Sequence, residues 1–313
     1  MKLPFRAAPS GAKYALLLAL VLTVAAGCSV RRYAVNMVGD ALAAGNSVYE
    51  TDEDLELVGQ ALPFGLKLME SLLEESPDHA GLLLTSCKGF VLYSLAYVDY
   101  EATVLESKDM DRARATRDRA RKLYQRALQH GLRGLETRYP QFGQDLMRDP
   151  RKAVGRIDGR NREKDLPFLY WSAAALGLGI SISRGDAAFV ARLPEVTALI
   201  DRGLELDETW GNGAFHQFKV QLAGAAAEDA GRERIRKHYE RALELSGGRD
   251  AGLFVAYAEA VSIPDQDREA FLSLMGRALA VDTDRNPQNR LANLVAQRKA
   301  RWLVEHVDDL ILE

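Results

Sequence analysis

Cys28 is the residue whose type and position point most directly to a chemical modification. It follows small residues at positions 26 and 27, which fit the narrow site of the lipoprotein signal peptidase. A basic opening and an apolar run at 14–26 precede it, in the order of a secretory signal. The run is too short to span a bilayer. We therefore expect residues 1–27 to be removed and Cys28 to carry diacylglycerol and an acyl chain, the alternative being an ordinary secretory peptide with an incidental cysteine.

The residue after the acylated cysteine predicts where the protein is sorted. Ser29 stands where an Asp favours inner-membrane retention in many Gram-negative bacteria. We therefore expect the protein at the outer membrane, facing the periplasm. Cys87 is the one other cysteine, so an acylated Cys28 leaves no disulfide partner, and Cys87 is expected to be a small buried residue on a helix.

Residue patterns typical of metal sites and enzymes are missing from the sequence. The five histidines are scattered, with no two at ligand spacing, at positions 79, 130, 216, 238 and 306. The segment 282–286 begins like a calcium loop, but Pro287 and Asn293 stand where the turn glycine and the bidentate Glu are required. No GxSxG, Walker loop or strand-linked GxGxxG occurs. The sequence predicts no metal, no cofactor and no enzymatic activity.

Composition limits the partners and permits a large core. The 313 residues carry a net charge of −3, which becomes −6 without residues 1–27, because that segment holds three basic and no acidic residues. A mildly acidic chain is a poor candidate for nucleic-acid binding. With 47% apolar residues, the remaining chain can bury most of its unfolded surface.

Apolar residues after position 50 recur with helical spacing almost throughout, and no period-two alternation argues for a sheet. We expect an all-α protein with a tether and first helix at 28–50 and a single domain at 51–313. Residues 51–54 cap a helix that runs to Glu75, before Ser76 and Pro77 end it. Further helices are predicted at 82–100, 109–131, 166–183, 189–206, 210–227, 232–245, 252–262, 268–281 and 287–310.

A weak repeat runs through these helices. Small residues, each followed by Leu, occur at 127, 203, 242 and 278, spaced by 76, 39 and 36 residues, which approximates multiples of the ~34-residue tetratricopeptide period. Such spacing predicts stacked antiparallel hairpins, an α-solenoid whose concave face binds peptides or proteins. Repeats this degenerate also arise by chance from amphipathic helices.

A basic segment interrupts the series at 148–164. It contains seven basic and three acidic residues with two glycines and a proline, which predicts a long irregular connection. Its exposed cations, Arg160 and Arg162 among them, are candidates for contact with an acidic partner, a lipid headgroup or an anionic ligand. A solvated linker is the alternative reading.

Aromatic residues beside small ones form the second group of candidates. Tyr170 and Trp171 precede the small residues at 172–175, and Asn212, Phe215 and His216 lie in the segment that opens the next helix pair. Rings at helical spacing usually belong to a core, and contact with a ligand or partner is the competing interpretation.

Three motifs carry a resemblance to a known family: LYWSAAALG at 169–177, GAFHQF at 213–218 and RLANLVAQRKARWLVE at 290–305. With the lipobox, they resemble the TatT-type lipoproteins, the T component of tripartite ATP-independent periplasmic (TRAP) transporters. The chain departs from the family at Leu176-Gly177, where a Trp-Gly pair is common, so an aromatic lining at position 176 is not expected.

The resemblance implies a helical fold with cryptic tetratricopeptide-like hairpins, ring-like trimers, and docking of the transporter's periplasmic solute-binding protein. A groove or pore between hairpins is expected to suit a small apolar or amphipathic ligand. A tetratricopeptide lipoprotein that assembles outer-membrane barrels or pili is the competing function, and the helix pattern alone does not separate the two.

Overall fold

The computed structural model describes residues 31–45, 47–223 and 229–312, and every regular element in these ranges is helical. The first part contains α1 (31–44), α2 (Ser47–Thr51), α3 (Leu55–Glu75), α4 (Ala80–Tyr93), α5 (Tyr100–Leu105), α6 (Met110–Glu136), α7 (Phe142–Arg148), α8 (Pro150–Gly155) and α9 (Arg162–Ser181). The second contains α10 (Ala187–Val190), α11 (Leu193–Leu206), α12 (Trp210–Ala223), α13 (Asp229–Ser246), α14 (Ala251–Tyr257), α15 (Arg268–Leu279), α16 (Arg290–Glu305) and α17 (Val307–Leu310).

The all-α prediction is confirmed. The predicted signal segment 1–27, the lipidation site Cys28 and the last residues of the helix predicted at 210–227 lie outside the described residues.

The described residues also form two π-helical segments and two short 3₁₀ helices between the α-helices. Ser94–Asp99 joins α4 to α5, and Ala258–Ser262 extends α14. The 3₁₀ helices, Thr283–Arg285 and Pro287–Asn289, lead into α16. The helix predicted at 82–100 is therefore part of a longer, locally widened helix.

Aspartates begin many of the helices. The Asp54 carboxylate accepts hydrogen bonds from the backbone N–H groups of Glu56 and Leu57, both at 2.9 Å, and so satisfies donors that a helix start leaves unpaired. The helix begins after Asp54 and ends at Glu75, so both predicted ends of α3 are confirmed. The same arrangement recurs at Asp109, Asp149, Asp186, Asp250 and Asp267.

The sequence predicts an irregular connection over the whole of 148–164, but this prediction is wrong in part, because the segment contains the short helix α8. Asp149 caps α8, with Pro150 in its first turn, where the missing N–H costs nothing. Ala153, Val154 and Ile157 are buried in the main core, which fixes this short helix against its neighbours. The irregular part is reduced to residues 156–161.

The helices pack mostly on neighbours in chain order: α3 on α4, α4 on α6, α6 on α9, α9 on α11 and α12 on α13. The small residues of the weak repeat are all buried, at positions 127, 203, 242 and 278. Close packing at these positions is therefore confirmed, while the tetratricopeptide-like character of the array stays a prediction.

The last long helix returns to the beginning of the domain. α16 contacts α2 and α3, and Leu291 packs with Val58 and Leu62. Arg298 donates a hydrogen bond to the carbonyl of Ala96 in the first π segment. The array is therefore closed on itself, unlike an open solenoid, whose terminal repeats contact only their neighbours.

One helix in the described ranges has the length and composition of a membrane span. The continuous helix Ala80–Leu105 has a mean hydropathy of 1.4 in its most apolar window, and 61% of that window is buried by other helices. Since its side chains contribute to the main core, this is the pattern of a core helix in a globular domain.

Candidate functional site

An aromatic cluster lies where α9 packs against α12. Tyr170 is its centre: its ring centroid lies 5.0 Å from Trp171, 5.3 Å from Trp210, 5.6 Å from Phe215 and 6.0 Å from Phe218. Edge-to-face and tilted contacts at these distances are favourable for aromatic pairs. The structure thus brings Phe215 of one predicted helix together with Tyr170 and Trp171 of another, and all three are predicted site residues.

The members of this cluster differ in what they can contact. Phe215 is fully buried, so it fixes the position of α12 and presents no surface. Tyr170 and Trp171 are partly exposed. Burial raises the pKa of Tyr170 above its ordinary value, so its phenol stays neutral well above the pH at which an exposed tyrosine ionises.

A cation lies over Trp171 of the cluster. The ammonium nitrogen of Lys88 on α4 is 5.4 Å from the centre of the Trp171 ring, within the range of a cation–π interaction. The same ammonium is ion-paired with Glu50 of α2. Trp171 is therefore held between the N-terminal helices and the α9–α12 contact.

α12 begins with a kink in its backbone. Gly211, Asn212 and Gly213 have φ angles of 59°, 57° and 88°, in the left-handed region that glycine enters freely and asparagine tolerates. Gly213 has a further constraint, since a Cβ there would lie 3.1 Å from the side chain of Leu245. The kink leaves Asn212 exposed at the surface. Trp210 precedes Asn212 and Phe215 follows it, and the centroids of these two rings lie 5.3 Å apart.

His216 follows the kink and belongs to a polar pair between α12 and α13. Its Nδ1 lies 2.8 Å from Nδ1 of His238, and its Nε2 lies 3.3 Å from a carboxylate oxygen of Glu208. Because the carboxylate only accepts, His216 carries its proton on Nε2, and His238 must donate from Nδ1. These partners assign the tautomers.

Both histidines are neutral at pH 7. Burial lowers the pKa of His216, and burial together with the neighbouring His216 lowers that of His238 to about 4. The 22-residue separation explains why sequence spacing gave no sign of this pair. In the described part of the chain, no group of three or more His, Cys, Asp or Glu side chains is arranged to hold a metal ion.

The basic segment lies beside the turn that precedes α12. Arg202 of α11 donates from Nε to the carbonyl of Ile157 at 2.9 Å, which fixes residues 156–161 on α11. A hydrogen bond from the Thr209 hydroxyl lowers the pKa of Asp207, and the charge of Arg162 acts in the same direction. Gly159 of the same segment lies against the end of α11, since a Cβ there would be 3.1 Å from the side chain of Leu206.

The other predicted cation of this segment extends into solvent. The Arg160 side chain is 85% exposed and pairs with Asp158 at 2.8 Å, and Arg162 is exposed as well. Arg160 precedes α9, Arg162 begins it, and the exposed Asn212 lies in the kink of α12, so these polar residues belong to or adjoin the two helices that carry the aromatic cluster. We call this combination the α9–α12 site.

Two surface cavities lie elsewhere, along α6. Their volumes are about 410 and 310 Å³, and they share His130 and Arg133 as lining residues. Neither cavity is lined by a predicted site residue. Binding of a small apolar or amphipathic ligand stays a prediction.

The sequence model of the family described as TRAP transporter T-component matches residues 51–311. The chain belongs to this family. The match covers the whole α9–α12 site and all helices from α3 to α17, which confirms the resemblance seen in the three motifs.

This T-component is also similar to a protein from Treponema pallidum (strain Nichols) that is described as uncharacterized. The two are 28% identical over 304 residues, covering 92% of this chain and 94% of the relative. The similarity therefore extends along nearly the full length of both chains.

Membership places the T-component in TRAP transport, as an accessory component of a transporter with a periplasmic or membrane-associated location. The family is not known as an enzyme family. The first statement confirms the predicted role in TRAP transport.

Proposed function

We propose that this T-component binds the solute-binding protein of a TRAP transporter and thereby assists solute uptake. The observation that carries the proposal is the family match across 51–311, since it includes all helices from α3 to α17 and the candidate site.

The α9–α12 site has the composition of a docking surface. Arginine and aromatic residues are enriched at protein interfaces, where rigid rings supply contact area and guanidinium groups bind carboxylates. Here Trp171 is fixed by packing against Tyr170 and by Lys88, so little side-chain entropy is lost on binding. Arg160 and Arg162 add positive charge suited to an acidic patch on the partner.

The proposed setting is the periplasmic face of the outer membrane. Acylation of Cys28 keeps the protein there, and a ring-like trimer presents several docking surfaces at once. Tethering of several copies raises the effective concentration of a weakly bound partner. The solute is then captured close to the membrane rather than in the bulk periplasm.

Mixing the purified protein with its cognate solute-binding protein tests the docking role. A complex on a sizing column at tens of micromolar is the expected result. The double variant Arg160→Glu with Arg162→Glu should weaken binding by about tenfold or more, because it replaces attraction by repulsion. Absence of any complex for the unaltered protein contradicts the proposal.

Arg285→Glu is the matched control for this charge reversal. Arg285 is 78% exposed and pairs with an aspartate, Asp282, as Arg160 pairs with Asp158. Its variant should bind as the unaltered protein does. Equal loss of binding in control and test variants indicates a general charge effect and rules out the α9–α12 site as the docking surface.

Membrane anchoring is tested separately. The intact mass of the mature protein should correspond to a chain beginning at Cys28 with diacylglycerol and an acyl chain attached. Cys28→Ala should leave an unprocessed or mislocalised precursor. Normal membrane fractionation of that variant contradicts the lipid anchor without bearing on the docking role.

A further inference from the structure

One face of α3 is apolar and exposed to solvent. Leu57, Phe64 and Leu68 are 56%, 75% and 37% exposed, and with Ala61 they follow one another at intervals of four, three and four residues. This spacing places all four on the same side of the helix. The core-facing side of α3 is built from a different set: Val58, Leu62, Leu66, Met69 and Leu73. α3 is therefore apolar on two sides, while a surface helix of a soluble domain needs one.

Exposed apolar residues are concentrated in the three N-terminal helices. Thirteen large apolar side chains are exposed in the described part of the chain, and seven of them lie between residues 33 and 68. Besides the three on α3, these are Tyr33, Met37, Val38 and Val48. We call these seven residues the N-terminal apolar face. Single exposed apolar residues need no explanation, but apolar residues that lie side by side, as they do along α3, mark a contact surface.

The position of this face relative to Cys28 indicates what covers it. Glu75, seven residues after Leu68, lies on the same side of α3 and is ion-paired with Arg31 at the beginning of α1. Cys28 precedes Arg31 by three residues, which span at most about 11 Å even when fully extended. A lipid on Cys28 therefore holds this end of α3 close to the bilayer surface.

The charges at this end suit the same contact. Arg31 and Arg32 are exposed and follow Cys28 by three and four residues, so an acylated Cys28 brings them within reach of anionic lipid headgroups. Tyr33 and Met37 follow one helical turn apart on α1. Aromatic and aliphatic side chains next to arginines are the composition of helices that rest in the headgroup layer.

We propose that the N-terminal apolar face rests on the lipid bilayer in which the Cys28 lipid is anchored. The inference depends on acylation of Cys28, which is part of the proposed function. A lipid on a short tether fixes the distance of the protein from the membrane but leaves it free to rotate. Contact along α3 adds a second attachment and fixes the orientation of the domain.

Site-directed spin labelling of the acylated protein in phosphatidylethanolamine–phosphatidylglycerol liposomes tests this contact. Cys28 is blocked by its lipid, and Cys87 is buried, so a cysteine introduced by Phe64→Cys takes the label. Oxygen dissolves in the bilayer, and a charged nickel complex stays in water. We expect the label at position 64 to show raised oxygen accessibility and loss of nickel accessibility.

Met147→Cys is the matched control. Met147 is 61% exposed on α7, so its label should remain accessible to nickel as in water. A label at position 64 that behaves like the control overturns the inference. Loss of accessibility to both oxygen and nickel at position 64 also overturns it, because a second copy or another protein then covers the face.

A second variant makes the test independent of one position. With the label on Leu68→Cys, the added change Phe64→Glu should restore nickel accessibility, since it places a charge in the contact. Unchanged shielding contradicts the inference. An intact mass without the Cys28 lipid overturns the inference and the anchoring together, whereas failure to bind the solute-binding protein leaves the lipid contact unaffected.

Discussion

Gly203 lies directly against the ring of Phe215. A Cβ atom on residue 203 would be 2.1 Å from Cε1 of Phe215, a distance that no relaxed structure permits. Since Phe215 is fully buried beside Tyr170, its ring has no room to withdraw. Gly203→Ala should therefore destabilise the protein by about 1 to 3 kcal/mol, the usual cost of an overpacked core, as measured by urea unfolding.

Gly276→Ala is the control for this substitution. Gly276 is also inside a helix, α15, but a Cβ there would meet no atom within 4 Å. The change should be neutral or stabilising by up to about 1 kcal/mol, because alanine has the higher helix propensity. If the two variants are equally stable, the contact between Gly203 and Phe215 is not what requires glycine.

Acidification should destabilise the contact between α12 and α13. The folded-state pKa of His238 is lowered to about 4, so between pH 6.5 and pH 4 the unfolded chain binds a proton that the folded chain does not. The contribution of His238 to the free energy of unfolding is therefore fully present above about pH 6.5 and decreases as the pH falls towards 4. His216, whose pKa is also lowered, contributes in the same direction.

The variant His238→Gln isolates this effect, because glutamine keeps a donor but does not titrate. Unfolding free energies at pH 7 and pH 5 should differ by about 1 kcal/mol more in the unaltered protein than in the variant. Both proteins contain the charged residues around the pair, so the comparison cancels their contributions to the pH dependence. These residues are Glu208, Arg241, Asp201 and Lys219. Identical pH dependence of the two proteins shows that the pair is not protonated on unfolding.

Local signals in the sequence were sufficient to predict many of the helices. Asp54 and the Ser76-Pro77 pair determine the ends of α3 by capping and by the loss of an N–H, both of which act within a few residues. α8 was missed although Asp149 and Pro150 formed a start signal, because the basic residues of the segment outweighed its few apolar positions.

The candidate site was predictable only in part. Tyr170 and Phe215 were each suggested by a motif, but their contact depends on the left-handed kink at 211–213, which no local pattern specified. The His216–His238 pair joins two helices, and closure of the array through Arg298 spans 202 residues. Such contacts follow from packing of the whole chain rather than from neighbouring residues.

Arg298 connects the last long helix to the first π segment. Its guanidinium donates to the carbonyl of Ala96 and lies 4.3 Å from the Tyr100 ring centre and 5.6 Å from that of Tyr97. Arg298→Ala removes these contacts and should cost about 2 kcal/mol. Hydrogen exchange should speed up in α16 and in Ser94–Asp99 more than in α6 or α9.

Arg301→Ala is the control for the closure, because Arg301 is exposed three residues further along α16. It should leave both stability and exchange unchanged. Faster exchange confined to α16 in the Arg298 variant, with none in the π segment, contradicts a closed array that is held at this residue.

Cys87 should report on global unfolding. Its thiol is fully buried on α4, and burial raises its pKa, so the native protein presents almost no thiolate. It packs against Gly131 of α6, where a Cβ would lie 3.0 Å from the sulfur, so α4 and α6 must separate before a reagent reaches it. Labelling by iodoacetamide should then follow the unfolding equilibrium and accelerate in the Gly203→Ala variant. Rapid labelling of the native protein reveals a local opening between α4 and α6 instead.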